Sequence, residues 1–372
     1  RRLEEARRVA WDCGGAEPWW CQALEGFVLH LQGRYTDAEA VFDLALQAMD
    51  SEQASRWRSL DLLLEGGTRE LLQRAAELGP APRDLLVDRI WHQADPLYLL
   101  PGNDRRTEHL ARLTAAELFS DAAIPHRLSW GPDMEELHIR YGWELGWEQV
   151  SPRPGELGMR GSVVGFENPD LRRFIPPEEV IADPGGNGED PWVPSMERYT
   201  RSGYAPAYAP VFLPMASRIL VFTRGDQAMV AATYELPVDT TYRTRIGSRQ
   251  LHSAPSALES WPLRAGLVLD DVGDSVLHAS TIDRVPRGVL LLEVPAGPYQ
   301  ASVEVLDPAA GVAGRYRNGL EIVRVPPDLP VLSDLLLLEG DSLPEGTVEA
   351  LKRLRIQNRI HAGDPLLVGW EL

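Results

Sequence analysis

The sequence predicts an α+β, multidomain protein, and three observations predict it. Apolar residues recur at helical spacing from the start to about residue 88. From about residue 216 onward, short apolar runs alternate with turn residues at regular intervals, as in antiparallel sheets. Between them lie a segment that mixes both patterns and a long stretch rich in proline, glycine and acids. The expected units are a helical arm over 1–88, an α+β segment over 89–150, a wrapping linker over 151–215 and an antiparallel β-sandwich over 216–372.

The arm begins with the charged, helix-forming run RRLEEARR, which has no apolar core of a signal peptide; any such leader is expected to be removed or never present. Cys13 and Cys21 follow in WDCGGAEPWWC, flanking Gly14, Gly15 and Pro18. A disulfide closing that short loop would fasten the first helix to the second and imply a periplasmic or extracellular setting. Two buried free thiols are the alternative.

Gly26, Leu29, Gly33, Tyr35, Ala38, Phe42, Ala45 and Leu46 place small residues where two helices cross and large ones in the gap. Thr36 or Asp37 can cap the second helix of this pair. The unit resembles one tetratricopeptide repeat over about 30 residues. Residues 51–64 and 67–78 keep helical periodicity without the repeat's glycine and tyrosine. A short tetratricopeptide-like arm is therefore expected, with partner binding and plain packing both open as its role.

A Gly-Pro-Ala-Pro hinge over 79–82 leads to a helix over 83–93, which stops at Asp95-Pro96. After a loop, Asn103 or Asp104 caps a helix over 105–119. Leu137, Ile139 and Tyr141 then alternate with His138 and Arg140 as in a strand.

Trp91, Asp95, Pro96, Asn103, Arg105, Arg106, Glu108, His109, Arg112, Trp130, Asp133, Ile139, Tyr141 and Gly142 together resemble the GWxTD domain family. The resemblance covers residues 85–150. The family's Gly-Trp-x-Thr-Asp is here Ser129-Trp130-Gly131-Pro132-Asp133, so an activity carried by that motif is expected to be lost. The resemblance implies a bacterial, secreted or envelope protein of a family whose biochemical role is not established.

The linker carries Phe166, Phe174, Trp192 and Met196, which suit a segment laid over a groove rather than a free tether. Tyr199, Tyr204 and Tyr208 alternate with prolines in the same way. The strand-like runs beyond it predict an immunoglobulin-like sandwich. Within it, the segment after Pro298 reads as a half-buried strand, and 346–356 as a short helix.

No constellation is specific enough to name a reaction. Gly340-Asp341-Ser342-Leu343 resembles the nucleophile block of the GDSL hydrolases, but no Asp-x-x-His follows it. Arg224-Gly225-Asp226 reads as a hairpin turn. The eight histidines include no zinc spacing. His92 and His109, beside Asp95 and Glu108, read as seam histidines before an acid–base or metal pair. Asp183, Asn187, Glu189 and Asp190 lack the positions of a calcium loop. We therefore expect no catalytic, cofactor-binding or metal set.

Acidic residues outnumber basic ones, 55 to 37, for a net charge of −18. That balance argues against nucleic-acid partners, since phosphate binding needs clustered cations. No apolar run reaches the roughly 18 residues that a membrane helix needs. Of the eleven tryptophans, Trp19, Trp20, Trp143, Trp147, Trp192 and Trp261 lie at turns or element ends, as aromatic anchors of protein or sugar contacts do. The expectation is a non-enzymatic periplasmic or extracellular scaffold subunit on the outer face of an integral membrane complex. The alternatives are an envelope-polymer hydrolase using Asp133, Glu108 and His109, and a carbohydrate-binding sandwich using Trp261.

Overall fold

The computed structural model describes residues 2–120, 130–142, 147–150, 162–165, 171–186, 192, 194, 201–213, 215–235, 264–271, 277–283, 287–307, 311–326, 332–356, 363 and 366–370. Helices and sheets both contribute large cores, so the chain is α+β.

In the helical half, α1 (Arg2–Trp11) is joined to α2 (Pro18–Leu31) by a disulfide between Cys13 and Cys21, whose Cα atoms are 5.6 Å apart. Pro18 opens α2, where a missing N–H leaves nothing unsatisfied. The next helix, α3 (Tyr35–Ala48), packs antiparallel on α2 because Gly26 has no side chain. A Cβ there would lie 2.9 Å from the Phe42 ring. Neither Thr36 nor Asp37 caps α3, which starts one residue earlier, at Tyr35. Asp37 instead accepts from Arg34 Nε at 2.7 Å.

Asp50 caps α4 (Ser51–Arg58) by accepting from Gln53 N at 2.8 Å. The helix ends there, and residues 60–64 form turns rather than the continued helix the periodicity suggests. Leu60, Leu63 and Leu64 are nonetheless buried, so core contact, and not helix, explains that spacing.

α5 (Gly66–Leu78) and α6 (Pro80–Ala94) meet at Gly79, whose φ of 131° only glycine adopts readily. The expected Gly-Pro-Ala-Pro hinge is thus one residue, because Pro80 and Pro82 fit the first turn of a helix. Asn103 caps α7 (Asp104–Phe119), accepting from Arg106 N at 2.9 Å and donating to Trp91 O at 2.6 Å. Most of α7 is buried: it is the central rod of the helical half.

The expected strand over 135–141 is a helix, α8 (Pro132–Tyr141). Pro132 and the acidic Asp133 and Glu135 fill its first turn, and His138 and Arg140 its last. Leucine, isoleucine and tyrosine spaced by two had suggested a strand, but Ile139 and His138 are the residues that bury against α7. A short helix, α9 (Glu178–Ala182), packs on α5 and α6, with Arg89 donating to Ile181 O at 3.2 Å.

The β half holds a five-stranded sheet in the order β3 (Val211–Leu213), β10 (Val312–Ile322), β9 (Gly297–Asp307), β6 (Arg264–Asp271), β7 (Leu277–Asp283). Against it lies a three-stranded sheet of β4 (Ala216–Arg224), β5 (Gln227–Glu235) and β8 (Arg287–Pro295). Val230, Ala232 and Leu290 from one sheet meet Leu267, Val303 and Val305 from the other in a shared apolar layer. Gly225-Asp226 makes the two-residue turn between β4 and β5.

The expectation of purely antiparallel pairing fails at one place: β3 pairs parallel with β10. It enters from the linker rather than from a hairpin, so no tight turn dictates its direction. Two small antiparallel pairs complete the strands, β1 (Trp147–Val150) with β2 (Ser162–Gly165), and β11 (Leu336–Glu339) with β12 (Leu366–Gly369). The helix α10 (Thr347–Lys352) covers one face of the second pair.

Within the linker, the described parts join the two halves. Phe174, Tyr204, Tyr208 and Phe212 form one cluster with Tyr35 and Leu97 from the helical half and Leu306 and Ala313 from the sheet. Phe166 and Met196 lie outside the described residues.

Candidate functional site

Strand β9 is buried on both faces, not one. Ala301, Val303 and Val305 face the sandwich core, whereas Gln300, Ser302 and Glu304 face the helical half and are equally sealed from water. The polar alternation that reads as a solvent-facing edge is instead one wall of a buried junction. A buried charge is tolerated only when paired and hydrogen-bonded, and the junction is built to do that.

At its centre Arg317 Nη2 lies 3.1 Å from Glu304 Oε1, with neither side chain exposed. Arg317 Nε donates to Ser302 Oγ at 2.9 Å and Nη1 to Gln93 O at 3.0 Å. Its guanidinium lies 3.7 Å from the centre of the Tyr98 ring, an attractive cation–π distance. The second oxygen of Glu304 accepts from Leu99 N at 3.0 Å. Gly266 of β6 makes room for Leu99, since any Cβ there would run into the leucine side chain.

Beside it, Arg315 Nη1 donates to Asp95 O at 2.8 Å and Pro96 O at 3.1 Å, and Trp192 covers its guanidinium at 4.2 Å. His92 Nε2 meets Asp270 Oδ2 at 2.8 Å and stacks on Tyr98. Burial, with Asp104 adding repulsion, raises the Asp95 carboxyl well above the usual range; Oδ1 accepts from Leu97 N at 3.1 Å.

A second polar group lines α7. Asp104 accepts from Tyr204 Oη at 2.7 Å and from Tyr208 Oη at 3.3 Å. Burial pushes its carboxyl up to about 6 against those bonds and the pull of His30. One turn on, Glu108 sits between His30 Nε2 at 2.7 Å and Arg112 Nε at 2.5 Å. Burial alone would raise this carboxyl; Arg112 and His30 outweigh it and hold it well below the carboxylate range. Arg112 Nη1 also donates to Ile139 O, Arg140 O and Gly203 O, tying α7 to the end of α8 and to the linker.

His109 points elsewhere. Its ring lies 5.3 Å from Trp91, and neither ring nitrogen has a hydrogen-bond partner among the described residues. Burial, with Arg105 and Arg112 adding repulsion, pushes it down to about 3, so the imidazole is neutral. Arg105 lies between Trp91 and Tyr204, with Nη1 and Nη2 unpartnered among the described residues and its pKa lowered by burial to about 9.

His92 and His109 are therefore not a pair: one faces the sheet, the other Trp91. Asp133 lies in the exposed first turn of α8, and no hydrogen bond or ion pair joins it to Glu108 or His109 among the described residues. Ser342 accepts from Arg353 in a surface turn. Asp183 ends α9, while Asn187, Glu189 and Asp190 lie outside the described residues. Among the described residues, no group of three His, Cys, Asp or Glu side chains is placed to hold a metal ion, and no helix is long and apolar enough to cross a membrane.

The tryptophans divide. Trp19 and Trp20 are half-buried on the helical core, and Trp19 packs edge-on against Trp57 at 5.8 Å. Trp192 is committed to Arg315 and Arg317. Trp147 lies on β1, and Trp143 and Trp261 fall outside the described residues. Trp11 and Trp370, which the spacing did not single out, are the most exposed tryptophans among those whose burial is described, at 77% and 55%.

Comparisons of the chain with protein families, with curated proteins and with solved structures found no match.

Proposed function

We propose that the chain is a non-enzymatic interaction subunit of an extracytoplasmic assembly, docked on the outer face of an integral membrane complex. The observation that carries this reading is the buried junction. Arg317, Glu304, Arg315, Asp104 and the linker aromatics join the helical and sheet halves through buried polar and apolar contacts that hold them together. A scaffold gains from such rigidity, because a preorganised surface loses little entropy on binding.

The acid–base alternative is weakened by the same contacts. Glu108 is held ionised by Arg112 and His30, which suits a structural anchor rather than a proton donor. The Cys13–Cys21 bond supports an oxidising compartment.

In this reading the α2–α3 pair is tetratricopeptide-like, resting on Gly26 against Phe42. The α6–α8 region is GWxTD-like, and its matching Trp91, Asn103, Arg106, Glu108 and Arg112 serve as internal fasteners. The two packed sheets form an immunoglobulin-like sandwich.

The test is the native mass of the endogenous protein after gentle membrane solubilisation, by clear native electrophoresis and mass spectrometry of the band. Migration within a large complex is expected. Migration as a free monomer in the soluble fraction would sink the proposal.

A further inference from the structure

The two packed sheets are unequal, five strands against three, and the small sheet ends at β4. Beside that edge runs a groove of about 310 Å³. Ser217, Arg218 and Ile219 of β4 form one wall, and Tyr316, Asn318 and Leu320 of β10 the other. The groove touches both faces of β4. Ile219 packs on the core between the sheets, whereas Arg218 lies on the far face, where its Nη1 donates to Arg355 O at 3.4 Å. Ile219, Tyr316 and Leu320 are only half-buried, so the core shows through where the small sheet lacks a further strand.

The backbone beside the groove is unused. The two-residue turn Gly225-Asp226 makes Arg224 and Gln227 a hydrogen-bonded pair. Such pairs alternate along an antiparallel strand, so Phe222, Leu220 and Arg218 bond to β5, while Val221, Ile219 and Ser217 turn their N–H and C=O groups outward. Val221 N bears this out by donating to Asp334 Oδ2 at 2.9 Å. Neither Ser217 nor Ile219 has a backbone partner on that side among the described residues. The edge of β10 already takes added backbone: beyond Gly314, where β3 stops, Arg317 O accepts from Trp192 N at 2.9 Å in an isolated antiparallel bridge. Arg218 is the one charged side chain of the lining, which holds no carboxylate. Glu235, at the end of β5, and Glu321, next to Leu320, form no ion pair with it among the described residues.

We propose that this groove takes an extended peptide segment of the partner complex, which adds a strand to the small sheet along β4. That the partner is a membrane complex rests on the docking function proposed above; the strand addition does not. The segment's main chain exchanges hydrogen bonds with Ser217 and Ile219, as in other strand additions at an open sheet edge. Side chains opposite those two residues share their face, so they lie against Ile219, Tyr316 and Leu320 and are apolar. The side chain between them falls opposite Arg218 and is a carboxylate, which gives the unpaired cation its partner.

The test is fluorescence anisotropy of a labelled heptapeptide on the full chain, with amide hydrogen exchange of the same complex. The peptide alternates valine with threonine, glutamate and threonine. One saturable site and slowed exchange at Ser217 and Ile219 are expected. Methylating every interior amide nitrogen of the peptide removes its backbone donors and should weaken it about tenfold. Ser217→Pro deletes an outward N–H where an edge strand tolerates proline, and should weaken the peptide about fivefold while unfolding stays cooperative. Asn318→Trp, which fills the groove from β10, carries the same expectation should the proline variant not fold. Arg218→Gln should weaken the glutamate peptide about threefold and leave its glutamine counterpart unchanged. No saturable binding up to about 1 mM, undiminished binding of the methylated peptide, or unprotected Ser217 and Ile219 in the complex would each overturn the proposal. So would unchanged affinity in a folded Ser217→Pro or Asn318→Trp. A free monomer that binds the peptide would keep the groove and lose the membrane partner; a chain held in a complex but blind to the peptide would do the reverse.

Discussion

Arg317 and Glu304 form an ion pair across neighbouring strands, 3.1 Å apart, with no water reaching either side chain. Strand β9 supplies the acid and β10 the base, and each then bonds to the helical half through Leu99 N and Gln93 O. The pair thus couples the two halves as well as two strands. Removing one partner leaves the other charged and buried, which costs about 3–5 kcal/mol. Glu304→Leu and Arg317→Met should each lower stability by about that amount in urea unfolding. The double variant should recover most of it, because two apolar side chains of similar volume leave no uncompensated charge. Additive losses in the double variant would mean that the contacts to Leu99 and Gln93, not the pair, hold the junction.

Gly26 sets two effects against each other. Alanine in a helix interior is favoured over glycine by about 0.8–1.0 kcal/mol. Its methyl group would lie 2.9 Å from the ring of Phe42, which is fully buried and has no room to withdraw. Overpacking of that kind costs about 1–3 kcal/mol. We expect the clash to win, with Gly26→Ala lowering the urea midpoint. A raised midpoint would show that α2 and α3 can separate freely.

These two cases show why the sequence was legible in one place and not the other. The small residues at helix crossings follow a spacing that geometry imposes, so Gly26, Ala38 and Phe42 could be read directly. The polar positions of β9 follow the same period whether they face water or a buried counter-wall. Gln300, Ser302 and Glu304 were therefore indistinguishable from a solvent-facing edge until Arg315 and Arg317 were placed opposite them. The α8 helix failed for a related reason: three apolar residues spaced by two outweighed Pro132 and the charged ends. The setting of His109 was invisible because Trp91, against which its ring lies, comes from a separate helix. One signal did exist: a histidine flanked by leucine and glutamate in a helix with an apolar side has to find a partner or remain without one.

The disulfide makes a local prediction. Cys13 and Cys21 are eight residues apart, and closing so short a loop contributes about 2–3 kcal/mol in the chain-entropy account. Because α1 is largely exposed, the loss should remain local. Cys13→Ser with Cys21→Ser should speed hydrogen exchange across Arg2–Trp11 while leaving the α2–α3 pair protected. Loss of protection in Phe42 and Ala45 would mean that α1 supports the whole arm.

His109 predicts a pH dependence whose sign follows from its depressed pKa. In the unfolded chain a histidine titrates near 6.5. In the fold, burial with the repulsion of Arg105 and Arg112 pushes it down to about 3. Below pH ~6.5 the unfolded chain gains a proton that the folded chain refuses, so stability falls by up to about 1.4 kcal/mol per pH unit as the pH drops towards 3. Asp104 acts in the opposite sense. Burial raises its carboxyl to about 6, so the folded chain takes that proton first, and the stability it contributes is lost as the pH rises through 6. His138, also lowered by burial, adds to the first slope, and Asp95 and Glu39, both raised by burial, add to the second, so the wild-type curve is uninformative alone. His109→Leu removes only its own part of the first. Urea unfolding at pH 7, 6 and 5 should show the variant gaining on the wild type at each step down. A constant offset between the two would mean that His109 takes up its proton in the fold as readily as in water, and that the wall around it is open.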